Sequence, residues 1–204
     1  MKNTARYVRN AVASVLAQDF RDVELIVVDD SSTDGSLAAV ESIRDPRVRL
    51  LTGQKRGVSA AWNVGLAAAN GEVLMQCDSD DSYPQGRIAR QLRFLDAHPE
   101  YGAVCGPFST MTSSGRGVAD LGTDDAHAEE ITQELLGGHV RTSLCAFATR
   151  TEILRALGGK REYFESAEDL DLQLRLAEVC RIWYEPCGAY RYRLHDASLT
   201  HSQP

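Results

Sequence analysis

Two short apolar runs, Leu25-Ile26-Val27-Val28 and Val73-Leu74-Met75-Gln76-Cys77, break abruptly into acid, the first at Asp29-Asp30 and the second at Asp78-Ser79-Asp80-Asp81. A brief apolar run bounded by turn residues reads as a buried strand, and a buried strand that ends in carboxylates ends at an open polar edge. Helical spacing follows each one, with Leu37, Val40 and Ile43 after the first and Ile88, Leu92 and Leu95 after the second. Strand, acidic turn and helix in alternation specify an α/β fold with a mainly parallel central sheet and helices on both faces. Ligands of such sheets bind beyond the carboxyl ends of the strands. Carboxylates clustered there need a cation to offset their repulsion, and all-oxygen donors favour Mg²⁺, Mn²⁺ or Ca²⁺ over zinc or copper.

The remaining pattern extends this alternation. Tyr7, Val8, Ala11, Val12, Val15 and Leu16 predict a helix over 5–17, and Trp62, Leu66 and Ala69 predict another over 59–69, stopped by Asn70-Gly71. Short strands are expected at 48–51, 103–106, 143–149, 182–184 and 189–193, and helices at 130–136, 151–157 and 168–179. The polar stretch 111–125, rich in Ser, Gly and Asp, reads as a mobile surface excursion beside a site. The 204 residues show no repeat and no linker, so one domain is expected.

A net charge of −7 argues against nucleic-acid or anionic-membrane partners. No run approaches a membrane span, and the first residues lack a secretory signal, so the chain reads as cytoplasmic, with peripheral association at the inner face of the membrane and oligomerisation left open. Five cysteines without Cys-x-x-Cys spacing point to reduced, mostly buried thiols and give no support to a zinc site.

Four polar clusters stand at strand ends or helix starts: Asp29-Asp30, Asp78 to Asp81, Glu168-Asp169 and His195-Asp196. Singly, each has a structural explanation. Asp29 and Asp30 suit helix capping, Glu168 and Asp169 suit the positive end of a helix, and His195 suits an exposed terminus. Their joint order, together with 5–18, Val28-Asp29-Asp30-Ser31-Ser32-Thr33-Asp34-Gly35-Ser36, Gly57-Val58-Ser59-Ala60-Ala61-Trp62-Asn63-Val64-Gly65-Leu66 and Ala167-Glu168-Asp169-Leu170-Asp171-Leu172 with Arg175, resembles the family 2 glycosyltransferases. These are inverting nucleotide-sugar enzymes of the GT-A fold, a Rossmann-type α/β domain.

The resemblance implies roles. Asp30 matches the carboxylate that receives the nucleotide base, and an acceptor facing a base N–H suits uridine. Asp78 and Ser79 fall beside the ribose and diphosphate. Asp80 matches the metal ligand, with His195 approaching the metal or phosphate, and the implied cofactor is Mn²⁺ or Mg²⁺. Asp169 matches the catalytic base, and Glu168 a residue that contacts acceptor or orients the site. Residues 1–107 then form the nucleotide-sugar half and 108–204 the acceptor and catalytic half. Lys55 and Arg56 suit a phosphate or a solvated loop equally, Trp62 reads as core, and Asp81 is explained by turn chemistry.

The family opens with a Val-Ser-Val-Ile-Ile-Pro-x-Tyr-Asn strand, and this chain begins at Met1-Lys2-Asn3, about where that strand ends. A truncated start, a strand from another chain, or a repaired sheet would each account for this, and the first is favoured. The expected function is transfer of a sugar from a nucleotide-sugar donor, favouring a UDP-sugar, to a glycan, lipid-linked or polysaccharide hydroxyl. The alternative is a catalytically silent nucleotide-sugar-binding or scaffold domain. A nucleotidyltransferase would need a Gly-rich basic phosphate loop, which the sequence does not show.

Overall fold

A computed structural model describes residues 1–120 and 127–196. Helix α1 (Val8–Leu16) buries Val8, Ala11, Val12 and Val15, the i, i+3, i+4, i+7 stripe of an amphipathic helix. Strand β1 (Leu25–Asp29) is followed by α2 (Ser36–Glu41) and β2 (Val48–Thr52), and the two strands pair in parallel, Leu25 opposite Val48 and Asp29 opposite Thr52. Then come α3 (Val58–Ala68), β3 (Val73–Met75), α4 (Arg87–Ala97) and β4 (Tyr101–Cys105). The second half contains β5 (Phe108–Met111), β6 (Gly117–Asp120), β7 (Glu129–Glu130), α5 (Thr132–Leu136), β8 (Ala148–Arg150), α6 (Thr151–Ala156), α7 (Glu168–Val179), β9 (Arg181–Tyr184) and β10 (Tyr190–Arg193).

The five-stranded sheet runs β3-β8-β4-β9-β7. Both β3 and β4 are antiparallel to β8, and β9 is parallel to β4, so β3, β4 and β9 share one direction. Every residue of β4 is buried. Ala103 and Cys105 pack with Leu172, Leu176 and Ile182 on one face, while Tyr101 and Val104 pack with Leu95 and Ala148 on the other. Tyr101 shares a face with Val104 because the ladder to β9 shifts register between Tyr101 and Ala103. Layers on both faces are what a continuous apolar strand requires.

Strands β10, β5 and β6 make a second, three-stranded sheet in that order. It lies against the acidic turn after β3: Ser82 and Arg191 exchange backbone hydrogen bonds at 3.1 Å in each direction. Met1 bonds to the edge of β1 away from β2, its amine donating to the Val28 carbonyl and its carbonyl accepting from Asp30 N–H at 2.9 Å.

Two expectations are corrected. The stretch beginning at Met111 forms a β-hairpin as far as Asp120, closed by a turn in which Thr112 N–H donates to the Arg116 carbonyl and Thr112 O accepts from Gly115 N–H, both at 2.8 Å. Gly115 takes φ of +86°, which tightens the turn without a side-chain penalty. Backbone pairing to a neighbouring strand needs no apolar period, which is why composition alone misses it. Residues 121–125 of the same expectation lie outside the described residues, as do Ala197 and Ser198 after His195. The strand expected over 143–149 starts late, since Leu144–Ala146 form a 3-10 turn and only Ala148–Arg150 join the sheet. No helix among the described residues is long and apolar enough to cross a membrane.

Candidate active site

The carboxyl end of β1 divides its two acids between different tasks. Asp29 receives Ser32 N–H at 3.3 Å, a local turn bond. Asp30 turns inward, is 4% exposed, and takes Lys55 N–H at 2.7 Å and Gly57 N–H at 3.1 Å on its two oxygens. The 53–57 loop is therefore wrapped around this carboxylate, and a Cβ at Gly53 would stand 2.7 Å from Asp30 Oδ1. Among the described residues, the non-glycine positions with positive φ are Asn3, Ser31, Lys55 and Ala167, and the last three flank or touch Asp30 and Glu168. Such backbone costs free energy and collects where geometry is held for a purpose.

At the end of β3, Asp78 accepts from Gln76 Nε2 at 2.7 Å and from the Cys145 thiol at 3.2 Å, while its N–H donates to the Tyr190 hydroxyl at 2.8 Å. Ser79 Oγ accepts from Thr4 Oγ1 at 3.0 Å, which ties the turn to the chain entering α1. Asp80 Oδ2 meets His195 Nε2 at 3.0 Å, and the His195 ring lies on Tyr7 with centroids 4.8 Å apart. Arg193 organises this corner. Its guanidinium donates to the carbonyls of Asp80 (2.5 Å), Thr112 (3.3 Å) and Ser113 (3.2 Å) and to Asn10 Oδ1 (3.0 Å). Sequence reasoning misses Arg193, because its partners are all distant in sequence.

Asp80 Oδ2 and His195 Nε2 hydrogen-bond directly to one another, and a carboxylate with a neutral imidazole is a donor set that Mn²⁺ or Mg²⁺ accepts. Among the described residues no group of three or more His, Cys, Asp or Glu side chains could hold a metal. An ion that keeps waters and takes substrate phosphates needs no such protein cage.

Asp81 is more than a turn residue. It is 1% exposed and accepts Arg193 N–H at 2.7 Å. Burial, with the charges of Asp78 and Asp80, pushes its carboxyl from 3.8 up to about 8. A carboxyl raised on folding makes the native state bind more protons than the unfolded one, so its stabilising share is complete below about pH 4 and lost as pH rises through about 8. In metal-free protein, Asp81→Asn is expected to match wild type at pH 4 and to melt several degrees higher at pH 8. Thermal melts at both pH values check this, and a variant that melts lower at pH 8 contradicts it.

The other wall comes from the start of α7. Ala167 enters the left-handed region at φ of +63°, and Glu168 and Asp169 follow in the first turn, where the helix dipole favours acid. Lys160, which falls in an unremarkable loop of the sequence, has a side chain with no exposed surface and forms an ion pair with Asp169 Oδ1. Its Nζ lies 3.9 Å from Glu168 Oε1 and 5.6 Å from the centre of the Trp62 ring. Trp62 packs partly buried against the core, as expected, and covers this charge as well. Burial lowers the Lys160 pKa, but Asp169 and, more weakly, Cys145 and Asp78 raise it further. Burial pushes the Cys145 thiol up, with Asp78 and Asp169 adding to it. Cys145, whose thiol donates to Asp78, and Lys160, paired with Asp169, therefore stand between the β3 turn and the α7 start.

Lys55 and Arg56 contribute differently from a phosphate grip: Lys55 uses its backbone on Asp30, and Arg56 pairs with Glu162 at 3.0 Å. All five cysteines are free thiols.

Residues 1–158 match the model of the family described as Glycosyl transferase family 2. The succinoglycan biosynthesis protein ExoO of Rhizobium meliloti (strain 1021) is 42% identical, over 97% of this chain and 60% of its own length. Chondroitin synthase of Pasteurella multocida (strain Pm70) is 27% identical, over 95% of this chain and 20% of its own length. This chain thus spans about 60% of the length of the first of these relatives and a fifth of the second. The crystal structure of S. aureus TarS 1-349 in complex with UDP-GlcNAc superimposes with a TM-score of 0.83, covering 100% of this chain and 59% of that one at 24% identity, a likeness of fold. The family match over residues 1–158 and the 42% identity to the succinoglycan biosynthesis protein show that the chain belongs to glycosyl transferase family 2, on a GT-A-type α/β fold.

Proposed function

We propose that this chain is an inverting glycosyltransferase that moves a sugar from a UDP-sugar to a hydroxyl of a glycan, lipid-linked or polysaccharide acceptor. What supports the reading is the nearness of two acidic turns, Asp78 and Asp80 after β3 and Asp169 at the start of α7, with the Cys145 thiol on Asp78 and the Lys160 ammonium on Asp169 between them. The names of its relatives, a succinoglycan biosynthesis protein and a chondroitin synthase, favour a saccharide acceptor, and the TarS complex favours a UDP-sugar donor.

Asp169 takes the proton of the acceptor hydroxyl as that oxygen bonds to the anomeric carbon. The bond from that carbon to the β-phosphate oxygen breaks on the opposite face, and its electron pair leaves with the nucleoside diphosphate. One displacement inverts the centre. Glu168, partly buried beside Lys160, orients the base or the acceptor. Asp80 and His195 would hold Mn²⁺ or Mg²⁺, which when bound supplies positive charge against the leaving diphosphate. Asp78 and Ser79 line the ribose and diphosphate path, and Asp30 fixes the 53–57 loop and offers an acceptor to the base N–H. Residues 1–107 thus serve the donor and 108–204 the acceptor and the chemistry, with His195 reaching back to the donor's metal. The reading puts the enzyme on the cytoplasmic side, at the inner face of the membrane when the acceptor is lipid-linked.

A panel of UDP-, dTDP- and GDP-sugars with Mn²⁺ or Mg²⁺ and oligosaccharide acceptors tests this. Release of UDP with NMR-detected inversion of the transferred sugar is expected. Retention contradicts the mechanism, and donor binding without turnover on any acceptor points to a silent nucleotide-sugar-binding domain.

A further inference from the structure

A lysine side chain without exposed surface needs a reason, since a buried ammonium loses its hydration and survives charged only when paired. Lys160 is that residue, and the two ends of its ion pair are treated differently. The lysine end is locked at every level. Its N–H donates to Asn63 Oδ1 at 2.9 Å and its carbonyl accepts from Asn63 Nδ2 at 2.8 Å, so one side-chain amide on α3 grips both faces of the backbone. Gly158 and Gly159 before it take φ of +75° and +73°, a path a side chain would strain, and a Cβ at Gly159 would run into the Asn63 amide. The Trp62 ring lies 5.6 Å from the ammonium.

The carboxylate end is open. Asp169 is 32% exposed, and Lys160 donates to its Oδ1. An aspartate left alone at that depth would sample several rotamers, and a base that must first find its direction forfeits rate.

We propose that Lys160 is a positioning residue for Asp169: its locked ammonium pins Oδ1, so that Oδ2 is the oxygen presented to the acceptor hydroxyl. The inference rests on the reading of Asp169 as the base and adds to it the group that aims that base. Lys160 touches neither the transferred sugar nor the acceptor. Its contribution is the orientation of Asp169 and a counter-charge that lets Asp169, Glu168 and Asp78 share one small region.

Turnover is measured as UDP release in Mn²⁺ from UDP-GlcNAc, or from the UDP-sugar of the donor panel that turns over fastest, alongside calorimetric UDP binding. Lys160→Met is expected to lower kcat about a hundredfold, the scale of a misplaced catalytic group, with the donor KM and the UDP affinity within about threefold. Added to Asp169→Asn it is expected to cost nothing further, because groups that act as a unit are not additive. Wild-type kcat in Lys160→Met, a loss carried by KM, or an equal fold loss in the Asp169→Asn background each overturns the proposal. Should Lys160→Met fail to fold, Asn63→Ala keeps the ammonium and frees its backbone; a roughly tenfold fall in kcat at unchanged KM is then expected, and wild-type kcat overturns the pin. Asp169→Asn turning over at the wild-type rate removes the base itself, whereas a slow Asp169→Asn beside a fast Lys160→Met removes only the pin.

Discussion

Asp169→Asn is expected to lower the transfer rate about a hundred- to ten-thousandfold, the range general-base catalysis supplies, while UDP affinity changes by less than about twofold. The change is nearly isosteric, so the cleft keeps its shape, but an amide has no lone pair basic enough to take the hydroxyl proton. It also leaves the Lys160 ammonium without its nearest counter-charge. Breaking a fully buried pair costs about 3–5 kcal/mol. Here the cost is expected at about 1–3 kcal/mol, because Asp169 is a third exposed and Glu168 remains 3.9 Å away. Kinetics and a urea melt on the same preparation check both effects. Full activity would remove the base assignment, and an unchanged melt would mean that the ion pair contributes nothing to stability.

The second large effect is expected at Asp30. Unlike Asp169, it is enclosed, and its two oxygens are the acceptors for Lys55 and Gly57 N–H. Asp30→Ala orphans both donors and the loop that carries them, at about 1–3 kcal/mol for each donor left unsatisfied, less where water enters. The expected result is a loss of about 2–4 kcal/mol in stability and a fall of about a hundredfold in UDP affinity, since the wall of the base pocket goes with the loop. Asp30→Asn loses less of the loop than Asp30→Ala: the amide oxygen still serves one loop N–H, while the amide nitrogen sets a donor against the other and against the base N–H, so about half the stability loss of Asp30→Ala is expected. Uridine binding that falls as far in Asp30→Asn as in Asp30→Ala, at this smaller stability loss, supports the base contact. Uridine affinity that stays at the wild-type level while stability falls leaves Asp30 a loop anchor alone.

Much of this architecture is legible in the sequence, and the reason is local. The apolar runs that form β1, β3 and β9, the 3.6-residue stripes of α1 and α4, and the acids opening α7 are patterns within a few residues, where sequence carries its signal. The fold class and the alternation of elements follow from them. Strand direction does not: the stretch 143–149 reads as a strand whichever way it lies, and only the pairing of β8 with β3 and β4 reveals that it is reversed.

The site divides in the same way. Asp80 and His195 stand in motifs far apart in the chain, and they meet at 3.0 Å. Asp81 reads as turn chemistry, yet it is nearly sealed, because burial depends on β10 crossing over it and no local pattern records that. Lys160 carries no signal of its own, since Gly158-Gly159-Lys160-Arg161 has the composition of a solvated loop. What removes it from water is Asn63 and Trp62 on α3 and Asp169 on α7. The Gly-Gly pair is the one trace of its special backbone, and by itself such a pair says only that the chain turns.

The most direct test of the central claim, a donor wall completed by a divalent ion facing the base across one cleft, is calorimetric titration of the chain with UDP in Mn²⁺ and again in EDTA. Binding in Mn²⁺ that weakens at least about tenfold in EDTA, and that loses this metal dependence in Asp80→Ala, is the predicted result. Equal UDP affinity with and without metal, or a metal dependence that survives Asp80→Ala, would contradict it.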